Sequence, residues 1–109
     1  MVFLFCVAWS SSPVQNTSVC TADNEQKQPQ LVSDGGGGAI IAWEDSRNGI
    51  DEDIYVQRLD ANGTSMWAVN GITVCTVIGP QRFPRVTADS AGGFIVTWYD
   101  RRNGKNNDI

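Results

Sequence analysis

Trp43–Gly49 reads WEDSRNG, and Trp98–Gly104, fifty-five positions later, reads WYDRRNG. Working outward from this pair, residues 19–54 align with 74–109 without a gap, and sixteen of the 36 positions are identical. Self-similarity at a fixed period marks a chain built from repeated supersecondary units. The bounds it sets are a lead-in over residues 1–18, a first unit over 19–73 and a second over 74–109. The second unit stops at Ile109, the counterpart of Ile54, where the first continues as YVQRLDANG. The expectation is a fragment of a longer polypeptide with further units of the same kind.

One unit reads as strands and tight turns. Gln30–Ser33 is a short strand, and DGGGG at Asp34–Gly38 is a turn, because Asp and Gly supply the backbone angles tight hairpins need. Ala39–Trp43, AIIAW, is apolar at every position, so it must be covered on both faces. After the polar loop EDSRNGIDE comes Asp53–Leu59, DIYVQRL, whose polar residues suit a more exposed strand. DANGT at Asp60–Thr64 is a second turn, and Ser65–Val69 is a fourth strand that Asn70-Gly71 either bends or ends before a further strand, ITVC. Nothing has helical spacing with caps. The fold class is therefore all-β, with antiparallel four-stranded meander repeats. Sheets packed face to face around an axis cover such a strand on both sides. A β-sandwich or a β-helix is an alternative, but the regular 55-residue period with two tight hairpins favours blades. The architecture expected is therefore about one and a half blades of a β-propeller.

Composition narrows the chemistry. The net charge is −4 and there is no Lys/Arg run, which excludes nucleic acid as a partner. The chain contains no histidine, which excludes Ser-His-Asp and Cys-His catalysis and histidine-bearing zinc sites. Cys6, Cys20 and Cys75 form neither a disulfide framework nor a zinc knuckle; Cys20 and Cys75, each within VCT, read as small buried strand residues. Met1–Trp9 is apolar but far too short to span a bilayer, so no membrane insertion is expected. It reads either as a truncated secretory signal without its basic region or as the start of a fragment.

The residues from Pro29 to Gly63, PQLVSDGGGGAIIAWEDSRNGIDEDIYVQRLDANG, and again from Pro84 to Ile109, resemble WD40-like repeats of the TolB type. LDANGTSMW is also similar in layout to the Asp-turn hairpins of sialidase-type propellers. The resemblance implies a propeller, often secreted or surface-exposed in bacteria, and brings no catalytic residues with it.

Candidate sites divide by whether they recur. Trp43, Asp45 and Arg47, with Trp98, Asp100 and Arg102, could grip a polar ligand, but their recurrence favours a structural signature. Trp43, Trp98 and Trp67 read as packing rather than sugar-stacking residues. Asp45, Asp51, Glu52 and Asp53 cluster as calcium ligands would, yet the second unit replaces Ile50–Glu52 with Lys105, Asn106 and Asn107, and a solvated acidic loop is the better reading. No metal or other cofactor is expected. Function on a rigid scaffold sits in the loops that vary. Asp51, Glu52, Lys105, Asn106 and Asn107 are thus the ligand-binding candidates, on one rim with the connectors 22–28 and 77–83. The function expected is a non-catalytic binding or scaffold module, extracellular, on the cell surface or periplasmic, with a protein or glycan ligand. The alternative is part of a sialidase-like propeller glycoside hydrolase whose catalytic residues lie mostly outside this chain.

Overall fold

The computed structural model describes Val14 and residues 16–109; the readings of Met1–Trp9 and Cys6 lie outside these residues. The described chain is all-β, with six strands and no helix: β1 (Gln26–Ser33), β2 (Ala39–Asp45), β3 (Asp53–Leu59), β4 (Ile72–Cys75), β5 (Gln81–Ala88) and β6 (Phe94–Asp100). β1 to β4 form an antiparallel sheet in sequence order, and β5 and β6 form a second, two-stranded sheet.

All seven residues of β2 are buried, as an apolar strand without alternation requires. Its two faces have different covers. Ala39, Ile41 and Trp43 form a cluster with Leu59, over which Val19, Cys20 and Tyr55 pack. On the other side β5 lies against β1, β2 and β3, and Ile40 and Ala42 are almost fully buried. Complete burial of an isoleucine such as Ile40 contributes about 1.5–3 kcal/mol.

β5 and β6 pair as β1 and β2 do. Lys27 opposes Glu44, and the register slips before Gln30 opposes Ala42; Arg82 opposes Tyr99, and the register slips before Arg85 opposes Thr97. The slip sits where Pro29 and Pro84 bring no N–H to the ladder. The residues before them, Gln28 and Phe83, take positive φ of 53° and 55°. The Phe83 N–H, freed from its own sheet, donates to a Glu44 carboxylate oxygen at 2.7 Å and so pins the second sheet to the first.

The structure corrects two strand readings. β3 is nearly all buried rather than exposed, because Gln57 is satisfied internally: its Nε2 donates to Ala68 O at 2.8 Å and its Oε1 accepts from Trp67 N at 3.1 Å. Those bonds hold residues 66–68 over the strand as a loop. Ser65–Val69 is therefore not a strand; it contributes one bridge, Ser65 to Leu59, and Ile72–Cys75 is the fourth strand instead. The DGGGG and DANGT turns are present. Asp34 Oδ1 accepts from Gly36 N at 2.8 Å and Gly38 N at 2.9 Å, and Asp60 Oδ1 accepts from Asn62 N at 2.8 Å and Thr64 N at 3.0 Å.

Gly71 makes the turn into β4 with φ +84°, where a Cβ would stand 2.5 Å from the Trp43 ring and 2.7 Å from Val56 O. Gly92 has a similar φ, +87°, with open space around it. Gly71→Ala is expected to cost clearly more than the roughly 1 kcal/mol of backbone strain expected at Gly92→Ala. Equal losses in urea unfolding would mean that both the Trp43 ring and the β3 backbone at Val56 give way freely.

Candidate functional site

The twice-written heptapeptide closes β2 and β6 with an Asp–Arg pair each time, and the tryptophan indole N–H joins the pair in the first copy only. Asp45 is fully buried at the end of β2. Its Oδ2 accepts the Trp43 indole N–H at 2.8 Å, and its Oδ1 accepts the Arg47 backbone N–H at 2.9 Å and Nε at 2.8 Å. Arg47 Nη2 completes a bidentate pair with Oδ2 and also donates to Asn70 O at 2.7 Å, while the guanidinium lies 3.7 Å over the Tyr55 ring. Burial alone would push the Asp45 carboxyl up, but Arg47 and the Trp43 indole outweigh it and hold it below the usual value. Asp100 and Arg102 pair again, with Arg102 N donating to Oδ1 at 2.9 Å, but here Nε, at 2.9 Å, and Nη2 both donate to the one oxygen Oδ2. Arg102 holds the Asp100 carboxyl down at about 2.

The Asn-Gly half of the motif turns the chain. Asn48 Oδ1 accepts from Ile50 N at 2.9 Å and Asp51 N at 3.1 Å, and its Nδ2 donates to Asp53 Oδ2 at 3.0 Å. Asn103 does the same with Lys105 N at 2.8 Å, Asn106 N at 3.0 Å and Asp108 Oδ2 at 3.0 Å. This is why an Asp recurs five residues after each Asn. These side chains spend their hydrogen-bonding capacity on the chain itself, which leaves little for a ligand.

The ligand candidates separate. Asp51 and Glu52 join Asn24, Glu25 and Ile50 and, from the far connector, Pro80 and Arg82 in lining an open cleft of about 440 Å³. Lys105, Asn106 and Asn107 are exposed beyond β6 and do not line it. The acidic loop is not solvated as expected: Glu52 and Asp53 are buried and Asp51 is half-buried. Glu52 receives Lys27 Nζ at 3.1 Å and a fork from Arg82, Nη2 to Oε1 at 2.9 Å and Nε to Oε2 at 3.2 Å. Burial would raise its carboxyl; Lys27 and Arg82 outweigh this and lower it. Asp51 Oδ2 accepts the Gly79 N–H at 2.7 Å. Both carboxylates therefore tie the first sheet to the strand that follows it. The sequence reading missed Glu44 and Arg82 in this role. The available signal was that Lys27 and Arg82 are both cationic at matching positions.

Trp43 is core and stacks on Tyr55, with ring centroids 6.3 Å apart; Trp67 meets Phe94 of the second sheet at 5.3 Å. Cys20 and Cys75 are free and half-buried rather than fully buried, and only Cys75 lies in a strand. Cys20 Sγ accepts from Arg47 Nη2 at 3.4 Å. Among the described residues no group of His, Cys, Asp or Glu is arranged to hold a metal ion, and no helix is long and apolar enough to cross a membrane. No protein-family model, curated protein or solved structure matches the chain.

Asp53 stands apart from the other carboxylates. Its Oδ1 is buried without a hydrogen-bond partner among the described residues. Burial first, then the charges of Asp51 and Asp45, push its carboxyl up. A raised carboxyl favours folding at low pH and loses that contribution as pH rises through its folded value. Asp53→Asn is therefore expected to raise the unfolding midpoint at pH 7, because it removes an uncompensated buried charge and keeps an acceptor for Asn48. A lower midpoint would show that the charge itself is needed.

The depressed carboxyls have the opposite sign. Their contribution is complete above the ordinary carboxylate range near 4 and is lost as pH falls toward the folded value of about 2 at Asp100. The wild-type unfolding midpoint is expected to fall through that window, and Asp100→Asn to flatten the fall. An unchanged pH profile in the variant would remove Asp100 from the account.

Proposed function

We propose that this chain is a non-catalytic binding and scaffold module, built from sheets stacked face to face in the manner of propeller blades, with its recognition surface at the cleft beside Ile50. The carrying observation is that the Asp45 carboxylate is saturated by contacts within its own segment and that Asp100 is likewise paired with Arg102. A reacting or ligand-gripping carboxylate needs free lone pairs; Asp45 has given its own to Arg47, Trp43 and a backbone amide. The groups that differ between the two segments, Asn24, Glu25 and Ile50 among them, are exposed around the cleft. Its rim is polar and its width open, which suits a glycan or an extended peptide. A secreted or cell-surface setting goes with this reading, as does the propeller-like resemblance of the Pro29–Gly63 stretch.

The test uses the 109-residue chain on glycan and peptide arrays, followed by titration of the best binder. Arg47→Ala is expected to lower the unfolding midpoint while leaving affinity nearly unchanged. Glu25→Ala with Ile50→Ala is expected to weaken binding by about tenfold at constant midpoint. Turnover of aryl glycosides that disappears in Asp45→Asn without loss of stability would overturn the proposal in favour of a hydrolase.

A further inference from the structure

The hydrogen bonds that join the two sheets all run one way. Between residues 26–75 and residues 79–109, every donor lies in 79–83 and every acceptor in the first sheet. The N–H groups of Gly79, Gln81 and Phe83 donate to Asp51 Oδ2, Glu52 O and Glu44 Oε1, each at 2.7 Å, and Arg82 forks onto the Glu52 carboxylate. Apart from the one carbonyl, the acceptors are carboxylates. A backbone N–H or a guanidinium can only donate. A carboxyl that takes up a proton gains an O–H that none of these groups can accept, and it loses the charge that strengthens the bonds it still receives.

The opposite end of the joint has no such fastening. There the turns after β1 and β5 flank a gap of about 430 Å³, lined by Ser33, Asp34, Ala88 and Ser90 among others. Their carboxylates are spent within their own sheets: Asp34 accepts from Gly36, Gly38 and Arg58, and Asp89 from Ala91 and Gly93. Contact beyond the polar end is apolar, with Trp67 against Phe94.

Few charged groups surround the polar end. Glu52 faces Lys27 of β1 and Arg82 of β5, and Lys27 also lies 3.9 Å from Glu25. Glu44 stands opposite Lys27 on β1 and the uncharged Ile54 on β3. Asp51 meets the Asn48 amide and the charge of Asp53.

We propose that this joint is an acid-released clasp: protons taken up by Glu44, Asp51 and Glu52 free the segment 79–83, and the second sheet tilts away at that rim while its apolar contacts hold. Asp51, Glu52, Pro80 and Arg82 line the cleft, so the same step widens it. Opening requires no ligand, so its failure would leave the binding proposal for the cleft untouched. The direction in pH follows from Glu52. Burial would raise its carboxyl, and Lys27 and Arg82 outweigh this and lower it. Its contribution is complete above the ordinary glutamate value and is lost as pH falls through the folded one. The chain has no histidine, so no side chain of that kind switches the clasp near neutrality. Asp100, held down at about 2 by Arg102, keeps its pair in the second sheet to lower pH.

The experiment is amide hydrogen exchange followed by NMR on the full chain, at about pH 7 and about pH 3, corrected for the intrinsic rate at each. Acidification is expected to lower protection at Gly79, Gln81 and Phe83 at least about tenfold more than at the amides of β2, a strand paired on both edges. Glu44→Gln with Glu52→Gln is expected to expose the same three amides at neutral pH and to flatten their further loss in acid. Asp89→Asn, in the turn at the other end, is expected to leave them protected. A loss shared equally by the clasp and by β2 overturns the proposal, because the chain then unfolds as one unit. Clasp protection that survives in the acidified wild type, which needs no variant to fold, overturns it too.

Discussion

The rest of the structure depends on a strand with no solvent side. β2 buries apolar residues on both faces and ends in two buried carboxylates, Glu44 and Asp45. Each face must be covered and each charge neutralised or hydrogen-bonded. Asp45 is answered within its own segment by Arg47. Glu44 is answered across sheets, by the N–H that the bulge at Phe83 releases. Covering β2 and placing the second sheet are thus one event.

The second sheet is held by polar contacts at its start and apolar contacts further along. Arg82 reaches back to Glu52, Gln81 N donates to Glu52 O at 2.7 Å, and Gly79 N reaches Asp51. Trp67 then meets Phe94. The loop read as the variable, ligand-facing part is therefore also a clamp. Its second-segment counterpart, Lys105–Asn107, carries no acid that could clamp in the same way.

Much of the fold was legible because the signals are local. The Asp and Gly turns, the uninterrupted apolar run 39–43 and the DIYVQRL strand each follow from residue chemistry within a few positions, and all three stand in the structure. What failed depended on distant partners. Gln57 looked like a surface residue until the loop at 67–68 was seen bonded to it, and that same bonding removed a strand from Ser65–Val69. Glu52 looked solvated because its cations come from Lys27 and Arg82, which lie 25 and 30 residues away. The recurrence of WEDSRNG marked its residues as belonging together, and their hydrogen bonds give the reason. It could not tell which varying loop residues lie at the cleft and which stand apart.

The four Asn-Gly pairs at residues 48, 62, 70 and 103 share one further detail. In each, the glycine N–H donates to the carbonyl three residues before it: Gly49 to Ser46, Gly63 to Asp60, Gly71 to Ala68 and Gly104 to Arg101, at 2.8 to 3.0 Å. That nitrogen is the one that must attack the asparagine side chain for deamidation through a cyclic imide. Its N–H is held in a turn hydrogen bond, which must break before the nitrogen can react. The turns that shape the sheets therefore also slow the chain's chemical ageing. Unfolding would release all four sites together, and isoelectric focusing of native and denatured samples would count the charges gained.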